Sequence, residues 1–287
     1  MIAYILFRFL IFFTGSIPFT ILYFLSDLLS FLLYRIFKYR REVVRSNLTI
    51  AFPYLSKEEI IKIEKQYYTH LADLILEGIK SLSLSDAEIK KRYHVLNPDF
   101  VNLPFETNKS SLFLGSHFNN WEYGIRGSSL QVKAPVVIFF KPIKNKKINE
   151  FIRNLSAKSK TLLAPISETK QSFESQMEQN SLFIMVADQS PSNLKEAIEI
   201  DFFQKKTKAL HGPAKYAHQY FDQVFYFKTI KVKRGFYQVS AHLLSDQIQV
   251  ESQQNLTQKY FTEIEKMIQE QPANWLWSHK RWKNENI

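Results

Sequence analysis

Residues 111–122 read SLFLGSHFNNWE and set a histidine, His117, and a carboxylate, Glu122, five positions apart where an apolar run ends. Five residues turn an ideal helix through about 500°, which leaves the side chains roughly 140° apart, so the two cannot share one regular helical face. With His117 in the turn after a buried strand over 112–115 and Glu122 in the first turn of the next helix, the chain folds back and brings carboxylate to imidazole. An imidazole held at one nitrogen by a carboxylate takes a proton from a hydroxyl, and the carboxylate then stabilises the imidazolium. The helix start adds backbone N–H groups over 119–121, suited to a developing oxyanion. Hydroxyl plus activated carbonyl is acyl transfer. The competing reading is plain: this spacing also arises by chance, and a solitary histidine at a strand end more often holds a structural hydrogen bond.

A second polar signal, Asp188 and Gln189, closes the apolar run SLFIMVA at 181–187. A strand this apolar is central, so Asp188 either faces the cleft of His117 or stabilises the loop SPSNLKEA that follows. Asn119 and Asn120 either donate amide hydrogen bonds to substrate or cap the helix. Arg126, four residues past Glu122, is a candidate substrate contact and is also placed for an i,i+4 pair that would compete with His117 for the carboxylate. The remaining histidines form no HxxxH or HExxH grouping, so neither a metal nor another cofactor is expected. With no cysteine and no serine in a GxSxG elbow, direct transfer is expected rather than an acyl-enzyme, and Ser116 is expected to shape the turn.

The elements that must position these groups alternate. Helical patterns at 57–80, 121–130, 146–158, 167–179, 207–221 and 256–271 interleave with strand-like runs at 111–115, 134–140, 161–166, 181–188, 223–230 and 236–244. This predicts an α/β fold, a mostly parallel central sheet flanked by helices. Ahead of it, residues 1–37 are apolar apart from Arg8, Asp27 and Arg35, and 17–34 is a run of about the minimum length for a spanning helix. The expected organisation is an N-terminal helical membrane anchor over 1–37 and one catalytic domain over 38–287. The anchor either spans the bilayer or lies in its interface, with a buried core helix as the third reading. Lys38, Arg40, Arg41 and Arg45 follow at once, and by the positive-inside rule the rest of the chain is expected to face the cytoplasm.

The chain has 287 residues, no cysteine and a net charge of +11, with lysine and arginine clustered at 38–45, 141–160, 205–215, 228–234 and 280–283. An acidic partner is expected: phospholipid headgroups, an acidic carrier protein or, ranked last for want of any reading motif, nucleic acid; the competing reading is a solvated basic surface with no dedicated partner.

Five ordered blocks carry a resemblance. VRSNLTIAFPYLSKEEI (44–60), GSHFNNWE (115–122), ADQS (187–190), DFFQKKTKALHGPAKYAHQY (201–220) and PANWLWSHKRWK (272–283) are similar to the late acyltransferases of lipid A biosynthesis, within the lysophospholipid and glycerol-phosphate acyltransferase superfamily. The resemblance implies transfer of a fatty acyl chain from an acyl carrier protein or coenzyme A thioester to a hydroxyl of a lipid A precursor. It implies that His117 is the catalytic histidine and Glu122 its acidic partner, with Asp188 and Gln189 in a block of less settled role. Asn119 stands where the family commonly has glycine; asparagine is the best substitute in a left-handed turn. Arg153, Lys158 and Lys160 stand where relatives place arginines and a glycine. Arg153, Lys141, Lys144 and Lys206 are the candidate contacts to phosphate or carrier.

Overall fold

The computed structural model of the chain describes residues 1–283. In chain order its helices are α1 (Ile2–Ser16), α2 (Phe19–Phe31), α3 (Arg41–Ala51), α4 (Lys57–Ser81), α5 (Asp86–Arg92), α6 (Pro98–Glu106), α7 (Trp121–Gly127), α8 (Lys146–Ala157), α9 (Thr169–Gln176), α10 (Gly212–Tyr220) and α11 (Gln253–Glu270). Its strands are β1 (Tyr93–Val95), β2 (Ser111–Gly115), β3 (Val136–Phe140), β4 (Thr161–Pro165), β5 (Leu182–Val186), β6 (Ile198–Phe202), β7 (Lys205–Ala209), β8 (Val224–Lys233) and β9 (Phe236–Ser245).

Seven strands form one sheet in the order β1-β9-β8-β2-β5-β3-β4. Every pair is parallel except the β8–β9 hairpin, so the sheet is the mostly parallel one expected, with β9 and β1 running against the rest. β2 is buried along its whole length, as a central strand covered on both faces must be. The register pairs Gly115 with Val186, so β2 and β5 end side by side. His117 and Asp188 each stand two residues beyond that pair, at the carboxyl edge where open α/β sheets gather their chemistry.

The hairpin β6–β7 corrects one expectation. Residues 207–209, read as the start of a helix, belong to a strand, and the helix begins only at Gly212. Thr207 and Ala209 face inward while Lys206 and Lys208 turn outward, a period of two that merges into the following helical pattern. The turn is made by Phe203 and Gln204 at φ 51° and 57°, without the Asn-Gly or Asp-Gly pair that normally announces a two-residue hairpin. The short β1 and the helices α3, α5 and α6 were likewise not anticipated.

Phe19–Ile36 forms a continuous helical stretch of 18 residues, α2 and the π-helical turn Leu32–Ile36, long and apolar enough to cross a membrane. One side of α2 is nevertheless fastened to the body of the protein. Tyr23 donates to Glu77 Oε1 (3.0 Å) and Ser26 to Asp73 Oδ1 (2.7 Å), both on α4, while Arg234 bridges Asp27 and Asp73. Lys80 closes the link to α1, donating to the carbonyls of Thr14 (2.6 Å) and Ile17 (2.8 Å). The other side presents exposed Phe24, Leu28 and Phe31.

Candidate active site

His117 occupies the turn between β2 and α7, and the carboxylate that meets it is Asp188. The imidazole Nδ1 lies 2.6 Å from Asp188 Oδ1, and the backbone N–H of His117 donates to Oδ2 of the same carboxylate at 2.9 Å. Trp275 Nε1 donates to that Oδ2 at 2.7 Å, so a fully buried carboxylate receives three hydrogen bonds. Tyr260, on α11, fastens the strand ends beneath, donating to the carbonyl of Gly115 and accepting from the N–H of Ala187 at 3.3 Å. The His117 side chain keeps 21 % of its surface open. With Nδ1–H donated to Asp188, Nε2 is the free base, and the Gln189 amide lies 3.3 Å from it.

The electrostatics follow from this geometry. Burial disfavours the charged imidazole, but the charge of Asp188 and its hydrogen bond outweigh it and Glu122 adds to them, so the His117 pKa stands above its ordinary value. Burial alone would raise Asp188; the charge and hydrogen bonds of His117, with the Trp275 N–H, hold it below the usual carboxylate value.

Glu122, expected to hold the ring, accepts instead from its neighbour Trp121 Nε1 at 3.0 Å. The helix starts at Trp121, and its first turn points the Glu122 carboxyl toward α4, where a Cβ on Gly78 would stand 3.3 Å from Glu122 Cγ. The carboxyl is solvent-accessible yet surrounded by protein, and this desolvation raises its pKa against the opposing pull of Trp121 and His117. Glu122 and Trp121 line a groove of about 340 Å3 together with Arg126 and the apolar Leu71, Leu74, Ile125 and Leu155. The Trp121 ring meets His117 edge-on at 5.1 Å, so the imidazole stands beside the groove wall.

Of three residues expected at the substrate, Asn119 and Asn120 are turned inward, while Arg126 is buried and hydrogen-bonded yet contributes to the groove lining. Asn119, at φ 56°, is fully buried; its side chain donates to the carbonyl of Thr229 (2.7 Å) and accepts from Asn274 (2.9 Å). Its N–H is given to the Asn274 carbonyl at 2.9 Å, which removes it from the proposed oxyanion donors. Asn120 caps α7, accepting from the N–H of Tyr123 (2.9 Å), and donates to Glu77 at 2.7 Å. Arg126 does not pair with Glu122. It lies buried against the end of α4 and the start of α5, donating to Ser81 O (2.9 Å), Leu84 O (3.2 Å) and Asp86 Oδ1 (2.6 Å).

Lys141, in the loop after β3, and Arg153, on α8, are exposed and line neither the groove nor the imidazole. Among the described residues neither has an ion-pair partner; Lys206 pairs with Glu199 at 3.5 Å. Trp275 entered the sequence reading only as part of the block PANWLWSHKRWK, with no role assigned to it, and Tyr260 reads as one more apolar position of α11.

The model of the bacterial lipid A biosynthesis acyltransferase family matches residues 1–284. The chain belongs to that family. It is thus an acyltransferase of lipid A biosynthesis, and the histidine and aspartate at the sheet edge lie inside the matched region. No curated protein matches the chain. The matched region contains both the imidazole beside the apolar groove and the apolar N-terminal helix. Among the described residues no group of histidine and carboxylate side chains forms a metal site.

Proposed function

We propose that this acyltransferase moves a fatty acyl chain from an acyl thioester, carried by acyl carrier protein in preference to coenzyme A, to a hydroxyl of a lipid A precursor at the inner membrane. The observation that carries this reading is the His117–Asp188 pair, 2.6 Å apart, beside an apolar groove. His117 Nε2 takes the acceptor proton as the hydroxyl oxygen attacks the thioester carbonyl; the C–S bond then breaks and the imidazolium returns the proton to the departing thiolate. Asp188 keeps Nδ1–H in place and stabilises the imidazolium. Glu122 acts through its charge from the groove mouth rather than by holding the ring. The groove of Leu71, Leu74, Ile125 and Leu155 takes the acyl chain.

Residues 1–37 serve as the membrane anchor and 38–287 as the catalytic part facing the cytoplasm. We read the anchor as lying in the bilayer interface. A spanning helix must turn every side to lipid or to another span, whereas α2 gives one side to charged and polar partners on α4 and β8–β9 and its other side alone to Phe24, Leu28 and Phe31.

The test supplies purified full-length protein with carrier-bound and coenzyme A-bound acyl thioesters and, in turn, a lipid A precursor and a lysophospholipid, with products weighed by mass spectrometry. One acyl increment on the lipid A precursor is expected. His117→Ala should lower turnover by on the order of 100- to 10,000-fold. Acylation of the lysophospholipid alone would replace the acceptor, and full turnover by the alanine variant would remove the mechanism.

A further inference from the structure

Basic stretches far apart in the chain meet beside α3. Lys38 and Arg40, in the turn between the anchor and α3, join Arg41 and Arg45 of α3 and Lys205 from the tip of the β6–β7 hairpin in lining a groove of about 1100 Å3. Lys280 and Lys283 line an adjoining depression of about 260 Å3 that shares Glu42, Val43 and Ser46 with it. Two guanidiniums are set in place from behind: the buried Glu64 carboxylate accepts from Arg41 Nε (2.7 Å) and Arg45 Nε (2.8 Å). Among the described residues Lys38, Arg40 and Lys205 have no ion-pair partner, so the groove keeps an excess of positive charge beyond what Glu42 and Glu64 neutralise. Lys38 and Arg40 hold φ of 48° and 50°, conformations that long side chains ordinarily avoid, and Arg40 is tied by a hydrogen bond to the Ser278 carbonyl at 3.0 Å.

The position of the groove selects among anionic ligands. The turn that supplies Lys38 follows directly on Ile36 and Phe37, which are 59 % and 68 % exposed, at the end of the apolar face carrying Phe24, Leu28 and Phe31. A ligand with an apolar tail along that face and a phosphate at its end meets both surfaces at once. Guanidinium forks and lysine ammoniums suit phosphate oxygens. A soluble acidic protein would use the charge and leave the apolar border uncovered.

We propose that this groove is a binding site for a lipid-borne phosphate group, the lipid chains lying on the exposed face of α2. The phosphate comes either from a bulk anionic phospholipid or from the acceptor lipid itself. The site is separate from the acyl groove, and the binding test below requires no turnover, so its failure and that of the acyl-transfer reading are distinguishable.

The probe is dihexanoyl phosphatidate, titrated calorimetrically into detergent-solubilised full-length protein, with dihexanoyl phosphatidylcholine as the comparison. The phosphatidate should bind and the zwitterionic lipid should not. The Lys38→Gln/Lys205→Gln double variant, with its fold checked by circular dichroism, should bind phosphatidate roughly 10- to 30-fold more weakly, as expected for two lysines near a headgroup. Equal binding of both lipids, or an unchanged affinity in the variant, overturns the proposal. The variant's preference for a phosphorylated over a dephosphorylated acceptor separates the sources. A fall in that preference names the acceptor's own phosphate; a preference unchanged while phosphatidate affinity is lost names bulk phospholipid. A variant that keeps its phosphatidate affinity but shows a raised KM for carrier-bound thioester assigns the groove to a protein partner and overturns the proposal.

Discussion

Replacing Asp188 by asparagine tests the catalytic reading most directly, because it preserves shape and removes one charge. In the native site the carboxylate accepts from Nδ1 of His117 at 2.6 Å, from the His117 backbone N–H at 2.9 Å and from Trp275 Nε1 at 2.7 Å. An asparagine satisfies both the backbone and the indole donor with its carbonyl, which leaves its NH2 facing Nδ1. The ring then accepts at Nδ1 and carries its proton on Nε2, the wrong tautomer for a base. The expected loss in kcat is on the order of 100- to 10,000-fold, the usual value of a general base held by a carboxylate. The pH profile carries a second, signed expectation. Asp188 raises the His117 pKa by its charge and its hydrogen bond, against burial, so its removal lowers that pKa and the acid limb of kcat/KM moves to lower pH. Steady-state rates in mixed micelles from pH 5 to 9, with circular dichroism to show that the variant folds, measure both. A variant with native kcat, or an acid limb displaced to higher pH, would refute the assignment of Asp188 as the partner of the base.

Glu122→Gln should also move the acid limb to lower pH, but by less than Asp188→Asn and with a smaller loss of kcat, because Glu122 reaches His117 through charge and not through a hydrogen bond; the same pH profile checks it, and a larger effect than that of Asp188→Asn would reverse the two roles. His70 is buried on α4, where burial, reinforced by the charge of Lys231, pushes its pKa down to about 3 from 6.5. Its folded pKa lies below its unfolded one, so its contribution is fully present above pH 6.5 and is lost as pH falls toward 3. At pH 5 the loss is about 2 kcal/mol. Denaturation midpoints of the native protein and His70→Asn at pH 7 and pH 5 read it out, and an equal fall in both proteins would remove His70 as the cause.

Much of the sheet was legible because its strands are short, apolar and separated by helical patterns. SLFLG, at 111–115, coincides with β2, and the other apolar runs differ from β3, β4, β5, β8 and β9 by a few residues at their ends. What was not legible lacked a local signal. β1 is three residues long and exists through its parallel pairing with β9, a partner more than a hundred residues away in the chain. The β6–β7 hairpin turns at Phe203 and Gln204, bulky residues held at positive φ by packing of Phe203 against Phe52 and Phe202 rather than by turn chemistry. α3 carries apolar Val44, Leu48 and Ala51 on one side, but its charges merge into the basic stretch that follows the anchor.

The candidate site divides along a similar line. His117 and Glu122 share one short segment, so a sequence reader naturally pairs them, and the chain can in principle fold back to do so. Register decides otherwise. Because β2 lies parallel to and in step with β5, Gly115 is opposite Val186, and equal advances of two residues deliver His117 and Asp188 to the same point. The helix that begins at Trp121, capped by Asn120, meanwhile carries Glu122 toward Gly78 and the apolar groove. Asp188 was legible as a cleft residue from its place after a central strand, but not as the ring's partner, since that depends on which strands are neighbours. Residues paired across a sheet are separated in sequence by whatever the crossover contains, here 71 positions. A parallel sheet therefore hides its catalytic partners from any motif search confined to one loop, and Asp188→Asn against Glu122→Gln is the comparison that reveals whether register or proximity in sequence selected the working carboxylate.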